Sequence, residues 1–171
     1  MLEKFKNITH FVFDVDGVLT DGKLLVLPGG VMARTMNIKD GYALQLAIKK
    51  GYRVTIISGG NLIEVKERLN LLGVTEVYMQ VTDKGLLLQS LMTKQHTNAN
   101  AFLFMGDDIP DLQCMKLVGL SCCPADATDE IKEAATYIST LKGGDGCARE
   151  VIEKVMKLRG DWNDNLHIRA Q

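Results

Sequence analysis

A doubly wound α/β fold, built on a mostly parallel sheet, is predicted from three observations. Short apolar runs that end at polar or glycine residues alternate with longer amphipathic segments. The runs are apolar without strict alternation, as strands buried on both faces require. The 171 residues suit one compact domain, so 1–171 reads as a single unit.

The strand runs are 8–13 (ITHFVF), 53–57 (RVTII), 76–79 (EVYM), 101–105 (AFLFM) and 119–123 (GLSCC), with 136–139 (TYIS) a weaker sixth. Helical spacing marks 40–50, 62–72, 84–94, 112–118, 129–135 and 146–158. In the second of these, Leu62, Val65, Leu69 and Leu72 share one face, while Glu64, Lys66, Glu67 and Arg68 lie elsewhere. Gly51 and Gly73 follow two helices where a left-handed terminating residue is wanted. Strand and helix in alternation imply right-handed crossovers and a Rossmann-like sheet. One segment breaks the rhythm: apolar stretches 24–27 and 31–36 flank Pro28-Gly29-Gly30, which predicts a β-hairpin over about 23–36 protruding after the first strand. The tail over about 160–171 is polar and has no periodicity, and its Trp162 reads as a loosely packed aromatic.

Composition narrows the function classes. Apolar residues make up 46% and charged residues 24%, the balance of a globular protein with a proper core. A net charge of −1 provides no field drawing the chain to nucleic acid or to an anionic membrane. The apolar runs fall far short of the roughly 20 residues that span a bilayer. The first seven residues are charged and lack the apolar core of a signal peptide. Cys114, Cys122, Cys123 and Cys147 form no CxxC pair, which suits apolar packing in a reducing compartment and not a zinc site. His10, His96 and His167 have no metal-spaced partner. The expected location is cytoplasmic.

Ligands of open α/β sheets bind at the carboxyl ends of the strands, so the polar residues there are informative. The first strand ends in Asp14-Val15-Asp16-Gly17 and the second in Ser58-Gly59-Gly60. Asp83-Lys84 follows the third, and Gly106-Asp107-Asp108 ends the fourth, with Asp111 three residues on. Each piece alone has an ordinary reading: a turn, a helix cap or a solvated lysine. Together they bring carboxylates, a hydroxyl and an ammonium to one sheet edge, where a bound cation would offset the repulsion of like charges.

These groups fit phosphoryl transfer. Asp14 is the candidate nucleophile, forming an aspartyl-phosphate. Asp16, turned out of the strand at Gly17, is the candidate acid–base partner. Asp14, the backbone carbonyl of Asp16, and Asp107 are candidate magnesium ligands. Asp108 and Asp111 are placed to orient ligands or hold Lys84. Ser58 and Lys84 would grip the phosphoryl oxygens.

In order and type these motifs resemble the haloacid dehalogenase superfamily: DxDG, a Ser/Thr, a Lys, then GDDxxD. A closer resemblance covers nearly the whole chain. DVDGVLTDG, the hairpin, NIKDGYALQLAIKKGY, GDDIPDL and KGGDGCAREV are similar to the 3-deoxy-D-manno-octulosonate 8-phosphate phosphatases. That resemblance implies a capless tetrameric enzyme of lipopolysaccharide sugar synthesis that uses magnesium. It carries substrate-site roles to Gly143, Gly144 and Arg149, whose ordinary readings are a turn and a solvated helix residue. One departure stands out. Where relatives place Arg, or Glu in nonulosonate phosphatases, this chain has Gly60; Gly59 lies beside it, and Arg68 is the candidate to reach the site instead. A nonulosonate 9-phosphate is therefore the alternative substrate.

Chain length agrees with the missing cap domain. Between Asp16 and Ser58, and between Lys84 and Asp107, the assigned elements use up the residues. Enclosure must come from elsewhere, and the apolar hairpin is expected to join subunits into a homotetramer in which a neighbour covers each site. A receiver domain would need its phosphoacceptor at the end of strand three, where Gln80-Val81-Thr82-Asp83 stands. A non-catalytic binding subunit has no support, because every expected catalytic side chain is present.

Overall fold

The computed structural model describes residues 1–61 and 63–162. The expectations for Leu62, and for the tail beyond residue 162 with His167, lie outside them. The first half of the chain forms α1 (Leu2–Lys6), β1 (His10–Phe13), β2 (Leu25–Val26), β3 (Met32–Ala33), α2 (Ile38–Lys49), β4 (Arg53–Ile57), α3 (Ile63–Leu71) and β5 (Glu76–Tyr78). The second half forms α4 (Lys84–Lys94), β6 (Phe102–Met105), α5 (Leu112–Leu117), β7 (Leu120–Cys123), α6 (Asp129–Ala134), β8 (Tyr137–Ile138) and α7 (Cys147–Arg159).

Six strands pair in the order β5-β4-β1-β6-β7-β8, and every pairing is parallel. Strand β1 lies at the centre, with His10 in register with both Arg53 and Phe102. The chain builds outward from β1 through β4 and β5, then returns to β6 on the other side. That reversal opens a crevice at the carboxyl end of β1, the usual place for a ligand in such sheets.

Alternation along each strand divides the core in two. Phe11 and Phe13 of β1 and Leu103 and Met105 of β6 pack with Leu44 of α2, Leu69 of α3 and Ile152 of α7. Val12, Phe102 and Phe104 face the opposite way, toward Leu88 of α4, Met115 of α5 and Ile131 of α6. Helices therefore cover both sheet faces, which explains why the strands read as continuous apolar runs.

The hairpin is present as an antiparallel pair, Leu25 opposite Ala33 and Val26 opposite Met32, closed by a 3-10 turn at Pro28–Gly30. Its apolar side chains are exposed, Val26 at 67%. Helix α1 is an addition to the elements expected from sequence. It has five residues and buries only Phe5, too little for a periodic signal. No helix of the described residues is long and apolar enough to cross a membrane.

Candidate active site

Strand β1 hands its last ladder bond to Asp14, whose N–H donates to the Met105 carbonyl at 3.0 Å. The chain then coils: the Val15 carbonyl accepts from the N–H groups of Val18, Leu19 and Thr20 at 3.2, 2.9 and 3.0 Å. Gly17 makes this coil possible. Its φ of +88° lies in the left-handed region, and a Cβ there would fall on the Asp107 carboxylate. Asp16 is thereby turned to line the same cleft as Asp14, together with Gly22, Lys84, Asp107, Asp108, Pro110 and Asp111, around a volume of about 260 Å³.

At the floor of this cleft lies a buried ionic network. Lys84, the first residue of α4, donates through Nζ to Asp14 Oδ1 at 2.8 Å and to Asp111 Oδ1 at 2.6 Å. The lysine side chain is 7% exposed and that of Asp111 1%, so neither is free to exchange with water. Asp111 uses its other oxygen, Oδ2, to accept the Asp107 backbone N–H at 3.0 Å. One carboxylate thus fixes both the ammonium and the loop after β6.

Charge in the cleft is unbalanced. Burial, followed by the nearby Asp111 carboxylate, pushes Asp14 up to about 7 despite Lys84. Burial, then Asp14, Asp111 and Asp108, pushes Asp107 up to about 7 as well. For Lys84, burial acts downward but Asp14 and Asp111 outweigh it, so its pKa is raised and it stays charged. Carboxylate oxygens of Asp14, Asp107 and Asp111 lie within 4.8 Å of one another. Several hard oxygen donors with only one ammonium among them suit an added divalent cation such as magnesium.

The other sequence-derived residues are placed as follows. Ser58, at the end of β4, is buried, and its Oγ accepts the Gly60 N–H at 3.1 Å. It is not among the residues that line the cleft. Gly59 has ordinary room, its nearest neighbour being the Val81 carbonyl. Asp108 is exposed and accepts from the Ile109 N–H at 2.8 Å. Gly143 and Gly144 lie against the coil after β1: a Cβ on Gly143 would strike the Gly17 carbonyl, and the Gly144 N–H donates to Val18 O at 3.0 Å.

The two arginines lie apart from the cleft. Arg68 lines a 700 Å³ groove between the hairpin and α3, with Arg34, Met36, Asn61 and Glu64. Arg149, on the first turn of α7, donates to Glu153 at 3.2 Å, and its guanidinium lies over the rings of Tyr42 and Trp162. Trp162 is partly buried and packs on the core.

Two contributors escaped the sequence. Arg34, just past β3, reaches Asp16 through Nε at 2.7 Å and a second guanidinium nitrogen at 3.1 Å. Thr20 Oγ donates to Asp16 Oδ1 at 3.2 Å. Neither stands at the end of a strand of the parallel sheet, where the other polar groups converge; Arg34's place among apolar hairpin residues was the available signal.

The chain is similar to known proteins in sequence and in fold. The haloacid dehalogenase-like hydrolase family matches residues 72–151. The 3-deoxy-D-manno-octulosonate 8-phosphate phosphatase of Escherichia coli (strain K12) is 32% identical over 164 residues, 96% of this chain and 87% of that one. The crystal structure of the phosphatase of the same name from Yersinia pestis superposes with a TM-score of 0.90 at 31% identity, covering 94% of this chain and 86% of that one. The Moraxella catarrhalis phosphatase, solved in complex with a magnesium ion, a phosphate ion and a KDO molecule, gives 0.88 at 30% identity, over 92% and 90% of the two chains.

Proposed function

The chain belongs to the haloacid dehalogenase-like phosphatases, and from that premise we propose that it releases phosphate from 3-deoxy-D-manno-octulosonate 8-phosphate through an aspartyl-phosphate on Asp14. The observation that carries this reading is the buried Asp14–Lys84–Asp111 network beside Asp107, at the switch point of the sheet.

The steps follow from the residues. A carboxylate oxygen of Asp14 attacks phosphorus, and the bond from phosphorus to the sugar oxygen breaks. Asp16 gives its proton to that departing oxygen. Now ionised, Asp16 takes a proton from a water that attacks the aspartyl-phosphate, which frees phosphate and restores Asp14. Lys84 offsets negative charge on Asp14 and on the transferring phosphoryl oxygens, and Asp111 holds it there. Ser58 is assigned a phosphoryl contact, and Asp108 helps orient the loop after β6. Asp14, Asp107 and the Asp16 carbonyl would hold magnesium, which when bound neutralises charge on the phosphoryl group.

Substrate recognition is assigned to the sugar acid's surroundings. Gly60 offers no side chain there, so Arg68, Arg149 and the backbone at Gly59, Gly143 and Gly144 are the candidates to read it. Lipopolysaccharide sugar synthesis in the cytoplasm is the setting this reading implies.

The test pairs one substitution with a substrate panel. Asp14→Asn should abolish phosphatase activity, by at least about 1,000-fold, and chelation with EDTA should do the same, reversed by added magnesium. On a panel of sugar phosphates, kcat/KM should be highest for the octulosonate 8-phosphate. Survival of activity in the Asp14 variant overturns the mechanism; a maximum at a nonulosonate 9-phosphate overturns the substrate.

A further inference from the structure

Arg34 belongs to the hairpin, yet it is among the less exposed polar groups near the cleft, with 10% of its side chain open to solvent. Its guanidinium meets Asp16 as a fork, Nε to Oδ1 at 2.7 Å and a terminal nitrogen to Oδ2 at 3.1 Å. The remaining terminal nitrogen donates to the Met32 carbonyl at 3.2 Å, which ties the guanidinium back to its own strand. Thr20 Oγ supplies a further bond to Asp16 Oδ1 at 3.2 Å. Asp16 lines the catalytic cleft and Arg34 does not. The arginine therefore grips the carboxylate from the hairpin side. Oδ1 has both lone pairs taken, by Arg34 and Thr20, while Oδ2 keeps one, and that lone pair is where Asp16 must carry the proton it gives to the leaving oxygen.

A planar fork fixes direction as well as distance, since both nitrogens must lie in the carboxylate plane. Without it, among the described residues, the Thr20 hydroxyl would be the side-chain anchor left to Asp16, and a single bond at 3.2 Å does not fix the carboxylate plane. Proton transfer to a leaving oxygen demands an oriented donor, and an error of about 1 Å in such a group costs on the order of 100-fold in rate.

We propose that Arg34 is a positioning residue that aims Asp16 at the leaving oxygen of the substrate, so that the hairpin is a working part of the site. This rests on the reading of Asp16 as the acid–base group. Arg34 itself exchanges no proton and forms no bond to the substrate.

The test uses leaving groups that differ in their need for a proton. A sugar phosphate expels an alkoxide, which must be protonated as it departs; 4-nitrophenyl phosphate expels a stable phenolate, which need not be. The quantity to read is kcat/KM, which reports transfer to Asp14 for both. Arg34→Met retains an apolar stem for packing. It should lower kcat/KM for the sugar phosphate by about 10- to 100-fold and for 4-nitrophenyl phosphate by less than about 3-fold. Arg34→Lys should fall between Arg34→Met and wild type, and added guanidinium ion should restore part of the loss in Arg34→Met. In the Asp16→Asn background Arg34→Met should cost nothing further.

Equal losses on the two substrates, or a loss that adds to that of Asp16→Asn, overturn the positioning role. The premise is read separately. If Asp16→Asn fails to discriminate between the leaving groups, the acid–base assignment falls and the proposal with it. If Asp16→Asn discriminates and Arg34→Met does not, the assignment stands and only the proposal is lost.

Discussion

At Gly17 two requirements meet in one residue. The coil after β1 needs φ at +88°, and the space a side chain would fill is held by the Asp107 carboxylate. Alanine in the left-handed region costs roughly 1–2 kcal/mol from its own sterics. Here the Cβ must also displace Asp107, and with it the loop that Asp111 anchors through the Asp107 N–H. Gly17→Ala should therefore lose about 2–4 kcal/mol of stability by urea unfolding. Its phosphatase activity should fall by about 100-fold or more even where the protein remains folded. A folded, fully active alanine variant would show that Asp107 can move without consequence. The same crowding explains Gly143, which lies against the Gly17 carbonyl on the far side of the coil. Its nearest neighbours make it a support for the catalytic loop, whatever else it touches.

Among the elements, the junction of α2 and α7 holds an imbalance that pH reveals. Gly146 begins α7 without a capping side chain, and Asp40 of α2 fills that role by accepting the Arg149 N–H at 2.7 Å. Its other oxygen, Oδ2, is buried without a hydrogen-bond partner among the described residues. Burial pushes Asp40 up to about 6, only partly countered by the Arg149 N–H and the Arg149 charge. The folded state then binds a proton more readily than the unfolded chain between about pH 4 and 6, so stability falls as pH rises through that window and stays lower above it. Asn at this position keeps an oxygen for the Arg149 N–H and removes the charge. Asp40→Asn should flatten the slope between pH 4 and 6, and its gain at pH 7.5 should stay below about 2 kcal/mol because the amide nitrogen that replaces Oδ2 is buried in its turn. Thermal unfolding of the two proteins across that range measures both effects. The Asp40 contact joins residues 109 apart in sequence, so no local pattern announces it. The strands and longer helices were legible for the opposite reason: their apolar spacing is local, and α4 and β4 run over the very residues that the spacing marked. Five-residue α1, with a single buried side chain, carried no such spacing.

For the molecule as a whole, legibility of the site followed the sheet. Residues at strand ends converge because parallel strands all present their carboxyl ends to one edge, which brings Asp14, Asp16, Lys84, Asp107 and Asp111 to one cleft. Arg34 arrives by another route, from a hairpin that folds back over 18 residues to reach Asp16. That hairpin raises the question of assembly. A ladder of two residue pairs is too short to be stable alone, yet it exposes Leu24, Leu25, Val26, Leu27, Val31 and Met32. Side chains of this kind on a protruding ribbon favour contact with another copy, and a net charge of −1 does little to oppose it. The expected assembly is the homotetramer, with hairpins associating. Light scattering at micromolar concentration should give a mass near four times 18.9 kDa. Leu25→Lys combined with Met32→Lys should shift that mass toward the monomer, because each side chain would be buried in the contact at the cost of an unpaired charge. If the hairpin depends on its neighbours for rigidity, Arg34 loses a firm base when they leave. The dissociated variant should then show the leaving-group selectivity expected of Arg34→Met, weaker on alkoxide than on phenolate esters. A wild-type protein that is monomeric at these concentrations would overturn the assembly. A monomeric variant with unchanged selectivity would show that the hairpin holds Arg34 in place by itself.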